Sequence, residues 1–90
     1  MPVTIKLPEP LRRLAGVASV RVDAKNVAAA IAALDRAHPG LADMLCTELG
    51  QPRHHVLIYV NEEEIRCLQG VATPLHGGEV IHIIPSVSGG

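Results

Sequence analysis

Asn26-Val27-Ala28-Ala29-Ala30-Ile31-Ala32-Ala33-Leu34-Asp35-Arg36-Ala37-His38-Pro39-Gly40 is the stretch on which the fold turns. Val27, Ala30, Ile31, Leu34 and Ala37 recur at the spacing of one helical face. Asp35 and Arg36 fall off that face. The alanines favour helix, and the side chain of Asn26 is suited to accept an unpaired N–H of the first turn. Pro39-Gly40 stops the helix. This is the main helix, and its apolar stripe demands a partner surface.

The segments on either side supply one. Upstream, Val3, Ile5 and Leu7 alternate with Thr4 and Lys6, and Ser19-Val20-Arg21-Val22-Asp23 alternates again. Period two marks strands with one buried face. Pro8 and Pro10 end the first strand, and Leu11 to Gly16 reads as a connection with one helical turn. Downstream, Leu41, Met44, Leu45 and Leu49 give a shorter helix, closed by Gly50-Gln51-Pro52. Val56 to Val60 is a central strand. Asn61-Glu62-Glu63-Glu64 is a polar turn, Ile65-Arg66-Cys67 a short strand, Gly77-Gly78 a tight turn with positive φ, and Glu79 to Ile84 the last strand. Two strands, a helix, then more strands predict an α+β fold of the β-grasp kind. It is a mixed sheet of about five strands around one main helix plus a short second helix, with the first strand beside the last in the middle of the sheet.

Composition narrows the chemistry. The 90 residues suit one small domain. There is no Phe or Trp and one Tyr, so the core must be aliphatic. A net charge of −1 with interspersed signs argues against nucleic acid. No apolar run is long enough to span a bilayer, and no secretory signal is visible at the N-terminus. Cys46 and Cys67, without such a signal, are expected as free thiols in a reducing cytoplasm, behaving as small buried hydrophobes. His54 and His55, adjacent in a strand, would point to opposite faces, so no metal site is expected. Glu62 to Glu64 reads as a solvated turn, Arg12-Arg13 as a solvated face and His38 as a helix-end residue.

After the last strand comes Pro85-Ser86-Val87-Ser88-Gly89-Gly90. Proline has no N–H to continue the ladder, and glycine adds no Cβ. The expected organisation is a β-grasp domain over 1–85 and a flexible tail over 86–90. Five residues reach at most ~17 Å. Such a tail could thread a narrow channel and present the Gly90 carboxylate, or it could be an ordinary frayed end.

Body and tail together resemble the ubiquitin-like sulfur-carrier proteins of the MoaD/ThiS family. Ile58-Tyr59-Val60-Asn61 followed by acidic residues and Ile65-Arg66 resembles the family's central strand and turn. Gly77-Gly78-Glu79-Val80 resembles its entry into the last strand, and residues 85–90 resemble its terminus. In length and central segment the likeness leans to the MoaD-type and CysO-type carriers rather than the shorter ThiS proteins. The resemblance implies a carrier, not an enzyme, with no catalytic residues and no bound cofactor. Gly90 would be adenylated by an E1-like (MoeB/ThiF-type) enzyme using ATP. A sulfur donor would convert the adenylate to a thiocarboxylate, which passes sulfur to a biosynthetic acceptor in cysteine, molybdopterin or other synthesis. Val87, Ser88 and Gly89 would lie in the partner's active site.

Alternation assigns a docking face. With Ile58, Val60, Ile81 and Ile83 turned toward the helix, Leu57, Tyr59, His82 and Ile84 face outward, with Thr4 and Lys6 expected between them. Grouped outward apolar residues suit a partner surface, and the resemblance implies the activating enzyme as that partner. Two other functions stay open from sequence: a protein modifier joined through Gly90 to lysines, and a binding module whose tail has no chemistry.

Overall fold

A computed structural model of the protein describes residues 2–85. Five strands form one sheet: β1 (Val3–Lys6), β2 (Ser19–Val22), β3 (Val56–Val60), β4 (Glu63–Glu64) and β5 (Val80–Pro85). Their order is β2-β1-β5-β3-β4. β1 and β5 run parallel in the middle, and the other neighbours are antiparallel. A parallel pair needs a long crossover, and the helices α2 (Val27–Ala37) and α3 (Leu41–Leu45) lie within it. A further helix, α1 (Glu9–Ala15), joins β1 to β2. The mixed β-grasp sheet and the pairing of first with last strand are as expected.

The Asn26 carboxamide accepts from Ala29 N–H at 2.8 Å and opens α2. Val27, Ala30, Ile31 and Leu34 are buried from this helix. They meet Val3, Ile5, Ile58, Ile81 and Ile83 of the sheet in an aliphatic core. Ala37 is exposed, so the stripe ends one turn before the sequence suggests. Asp35, off the stripe, has its own task. Its Oδ1 accepts from Gly40 N–H at 3.0 Å and Ala42 N–H at 3.2 Å, which secures the entry to α3.

Several local expectations are corrected. The connection after β1 is a full helix. Pro10 sits in its first turn, where a missing N–H costs nothing. Gly16 ends it at φ 77°, donating to Arg12 O. Glu9 pairs with both Arg12 and Arg13 along one side. α3 stops at Leu45 because Cys46 turns extended and the Thr47 hydroxyl takes Leu49 N–H. Met44 and Leu49 are therefore exposed, Leu49 at 87%. Ile65–Cys67 is a 3-10 turn, not a strand: the Glu64 carboxylate accepts Arg66 N–H at 2.7 Å and curls the chain, burying Ile65. Cys46 is buried as expected, but Cys67 is exposed on that turn. His54 and His55 lie in the turn before β3, not in a strand. Pro85 still pairs, opposite Val56, as the last residue of β5.

Candidate functional site

β5 carries the candidate site, because it is central in the sheet and leads into residues 86–90. Its inward residues Ile81 and Ile83 are buried. The outward ones stand in rungs with β3: Leu57 opposite Ile84, and Tyr59 opposite His82. Directly opposed Cβ atoms sit ~4.5–5.5 Å apart, so Leu57, Tyr59, His82 and Ile84 form one surface. Ile84 is 43% exposed, more than a core residue would be, while the other three are half-buried. Thr4 and Lys6 share this face but do not lie between the two strands. β5 separates β1 from β3, so Lys6 stands beside His82 on the side away from Tyr59. Glu64 faces Tyr59 from β4. An apolar centre thus has a cation on one flank and an anion on the other.

Two turns fix this strand. Gly77 and Gly78 take φ of 110° and 85°, as the Gly-Gly pair required. Glu79 spans the turn, accepting His76 N–H and Gly77 N–H at 2.7 Å each. Burial pushes its carboxyl up, but the backbone N–H groups of His76, Glu79 and Gly77, with the nearby His76, together hold it below the usual range. At the far turn Asn61 adopts φ 56°, a conformation asparagine tolerates. Its N–H donates to Val80 O at 2.8 Å and its Oδ1 accepts Val80 N–H at 3.0 Å. Asn61 therefore pins the start of β5, a role not legible in a polar Asn-Glu-Glu-Glu run. Glu64 is likewise held low, chiefly by Arg66 N–H and then by its guanidinium, against some desolvation.

Near Pro85, on the α1 side, Pro8, Pro10, Leu11, Met44, Ile83 and Pro85 line an open apolar groove. The sequence signal for it was the Pro-Glu-Pro run, which reads only as a strand stop. Burial pushes the Cys46 thiol up, opposed by the Arg53 charge. Among the described residues no three His, Cys, Asp or Glu side chains are placed to share a metal ion. No described helix is long and apolar enough to cross a membrane. Val87, Ser88, Gly89 and Gly90, the expected chemical end of the site, lie outside the described residues, as does the division of the chain at residue 85 from a 86–90 tail.

The ThiS family model matches residues 5–90. The sulfur carrier protein CysO of Mycobacterium tuberculosis is 33% identical over the full length of both chains. A chain of the Amycolatopsis orientalis BexX/CysO complex superposes with a TM-score of 0.90 at 29% identity, over 98% of this chain and 99% of that one. SAMP1 of Haloferax volcanii superposes with a TM-score of 0.82 at 29% identity, over the whole of both chains.

Proposed function

The chain belongs to the ThiS family, and from that membership we propose that it is a sulfur carrier protein that acts through the carboxylate of Gly90. A carboxylate resists nucleophiles until it has a good leaving group. An E1-like enzyme of the MoeB/ThiF type would supply one: the Gly90 carboxylate attacks the α-phosphate of ATP and pyrophosphate departs. A sulfur donor then displaces AMP and leaves a thiocarboxylate, whose sulfur passes to a biosynthetic enzyme. ATP is the activating enzyme's substrate, and the carrier itself holds no cofactor. Leu57, Tyr59, His82 and Ile84 would dock on the activating enzyme, and Val87, Ser88 and Gly89 would occupy its channel. Similarity to CysO favours cysteine synthesis as the destination.

The observation that carries this reading is the reach of the family match. It runs from residue 5 to residue 90, so it takes in the Gly-Gly together with the body. The test incubates the chain with the E1-like enzymes of its own genome, ATP and sulfide, followed by intact mass. Replacement of one oxygen by sulfur, localised to Gly90, is the expected result. No ATP-dependent mass change with any of them would overturn the reading. The likeness to SAMP1, a small archaeal modifier protein, favours a second reading, attachment through Gly90 to lysines. Isopeptide conjugates in place of the thiocarboxylate would select it.

A further inference from the structure

A pocket of about 160 Å³ opens at the end of the sheet where β5 ends, and Arg53, His54, Val56, Ile65, Arg66 and Gly70 line it. No carboxylate is among its lining residues. Arg53 is held there by two bonds to the end of α3: its backbone N–H donates to Leu45 O, and its Nε donates to Asp43 O, each at 2.9 Å. Both acceptors are main-chain carbonyls, so the bonds orient the guanidinium without neutralising it. Among the described residues Arg53 joins no ion pair. Arg66, which also lines the pocket, gives its Nε to Glu64 at 2.6 Å, and its side chain remains 65% exposed. Two arginines thus line one pocket, and Glu64 is the one carboxylate paired with either of them among the described residues. Arg53 and Arg66 come from separate segments, so the pairing is built by the fold and lies in no sequence motif.

The place of the pocket indicates its occupant. Val56 lines it, and Val56 is the residue opposite Pro85. The pocket therefore begins one strand spacing, ~4.8 Å, from the root of residues 86–90. Gly90 cannot lie more than ~17 Å from Pro85. An enzyme that encloses Gly90 works within that reach of this end of the sheet. A guanidinium fork matches a carboxylate with two parallel hydrogen bonds. The geometry points to this pocket as a second docking contact for the enzyme that activates Gly90, receiving an aspartate or glutamate side chain of that enzyme between Arg53 and Arg66. The inference rests on the carrier reading and adds a charged contact beside the Tyr59 face, beyond its Glu64 flank.

The test uses the E1-like enzyme that adenylates the wild-type chain in the assay above. Its affinity is measured by calorimetry for wild type, Arg53→Gln, Arg66→Gln and Arg21→Gln at two salt concentrations. Arg21, exposed on the opposite edge strand, controls for general charge. Arg53→Gln and Arg66→Gln should each weaken binding about ten-fold at low salt and flatten its salt dependence, while Arg21→Gln stays within about two-fold. If Arg53→Gln unfolds through loss of its Asp43 bond, the exposed Arg66→Gln decides alone. Wild-type affinity in the Arg66 and Arg53 variants, or an equal loss in Arg21→Gln, overturns the docking contact while adenylation leaves the carrier reading standing. Failure of the wild-type chain to be adenylated overturns both.

Discussion

Glu79 shows how one side chain can hold the strand that matters most. Its two oxygens take the N–H groups of His76 and Gly77, and its folded carboxyl value lies below the ordinary 4.5. A carboxyl depressed by folding binds fewer protons folded than unfolded. Its stabilisation is whole above the unfolded value and drains away as the pH falls through the folded one. Glu79→Gln should therefore melt below wild type at pH 7, and the gap should close as the pH falls from about 5 toward 3. Thermal melts across that range check this, and a gap independent of pH would mean that the charge does not hold the turn. Tyr59 belongs to the other category, a side chain that the fold does not require. Its half-buried ring stands on the outward face opposite His82. Tyr59→Ala should keep its melting temperature within a few degrees yet cost ~2 kcal/mol or more in binding the activating enzyme. Unchanged affinity would move the docking surface off this face.

At the scale of elements, the facing of β5 was legible although the strand runs Val80–Pro85 and not Glu79 to Ile84, because alternation leaves one choice of face and a slip of one position would invert every side chain. Ile83 is buried and Ile84 is 43% exposed, so the two neighbours should separate cleanly. Ile83→Ala should cost about 2–5 kcal/mol of stability, whereas Ile84→Ala should cost little stability and chiefly weaken partner binding. Denaturant melts of both variants test the assignment, and an unfolded Ile84→Ala beside a silent Ile83→Ala would refute it. α2 was equally legible, since an asparagine cap and four buried apolar positions agree. α1 was not. It buries only Leu11 among its described core residues and leaves Leu14 in solvent, so there is no stripe to detect. Its marks are Pro10 in the first turn and Gly16 after the last, and proline there reads as easily as a strand stop. Ile65–Cys67 failed for a related reason: a side-chain carboxylate, not a hydrophobic period, decides its path. The outward face was legible because it is local to two strands. The Arg53–Arg66 pocket was not, because nothing local joins residue 53 to residue 66.

Over the whole molecule, the parts that fold and the parts proposed to react are separate. The core runs from Val3 to Ile83, and its residues are aliphatic apart from Cys46 and enclosed by sheet and helices. Gly90 lies beyond all of them in sequence. Changes at residues 89 and 90 should accordingly spare the fold and strike only the chemistry. Deleting Gly90 withdraws the carboxylate by ~3.5 Å, several times the ~0.5 Å that a preorganised site tolerates. Adding a residue after Gly90 turns the reacting carboxylate into an amide, which has no acidic oxygen to adenylate. Gly89→Ala preserves the carboxylate but adds a Cβ and narrows the backbone angles open to the tail. All three variants should melt within a degree or two of wild type. Neither the deletion nor the extension should yield a thiocarboxylate at its new terminus, and Gly89→Ala should be loaded more slowly. Single-turnover loading followed by intact mass, with melts run alongside, reads both quantities. Sulfur acquired and delivered at the wild-type rate by the chain lacking Gly90 would end the carrier mechanism proposed here. The exposed Cys67 thiol would then be the group to examine with a persulfide donor, whose outer sulfur passes to Cys67 as the donor leaves as its thiol, and Cys67→Ser would separate the two routes in one further experiment.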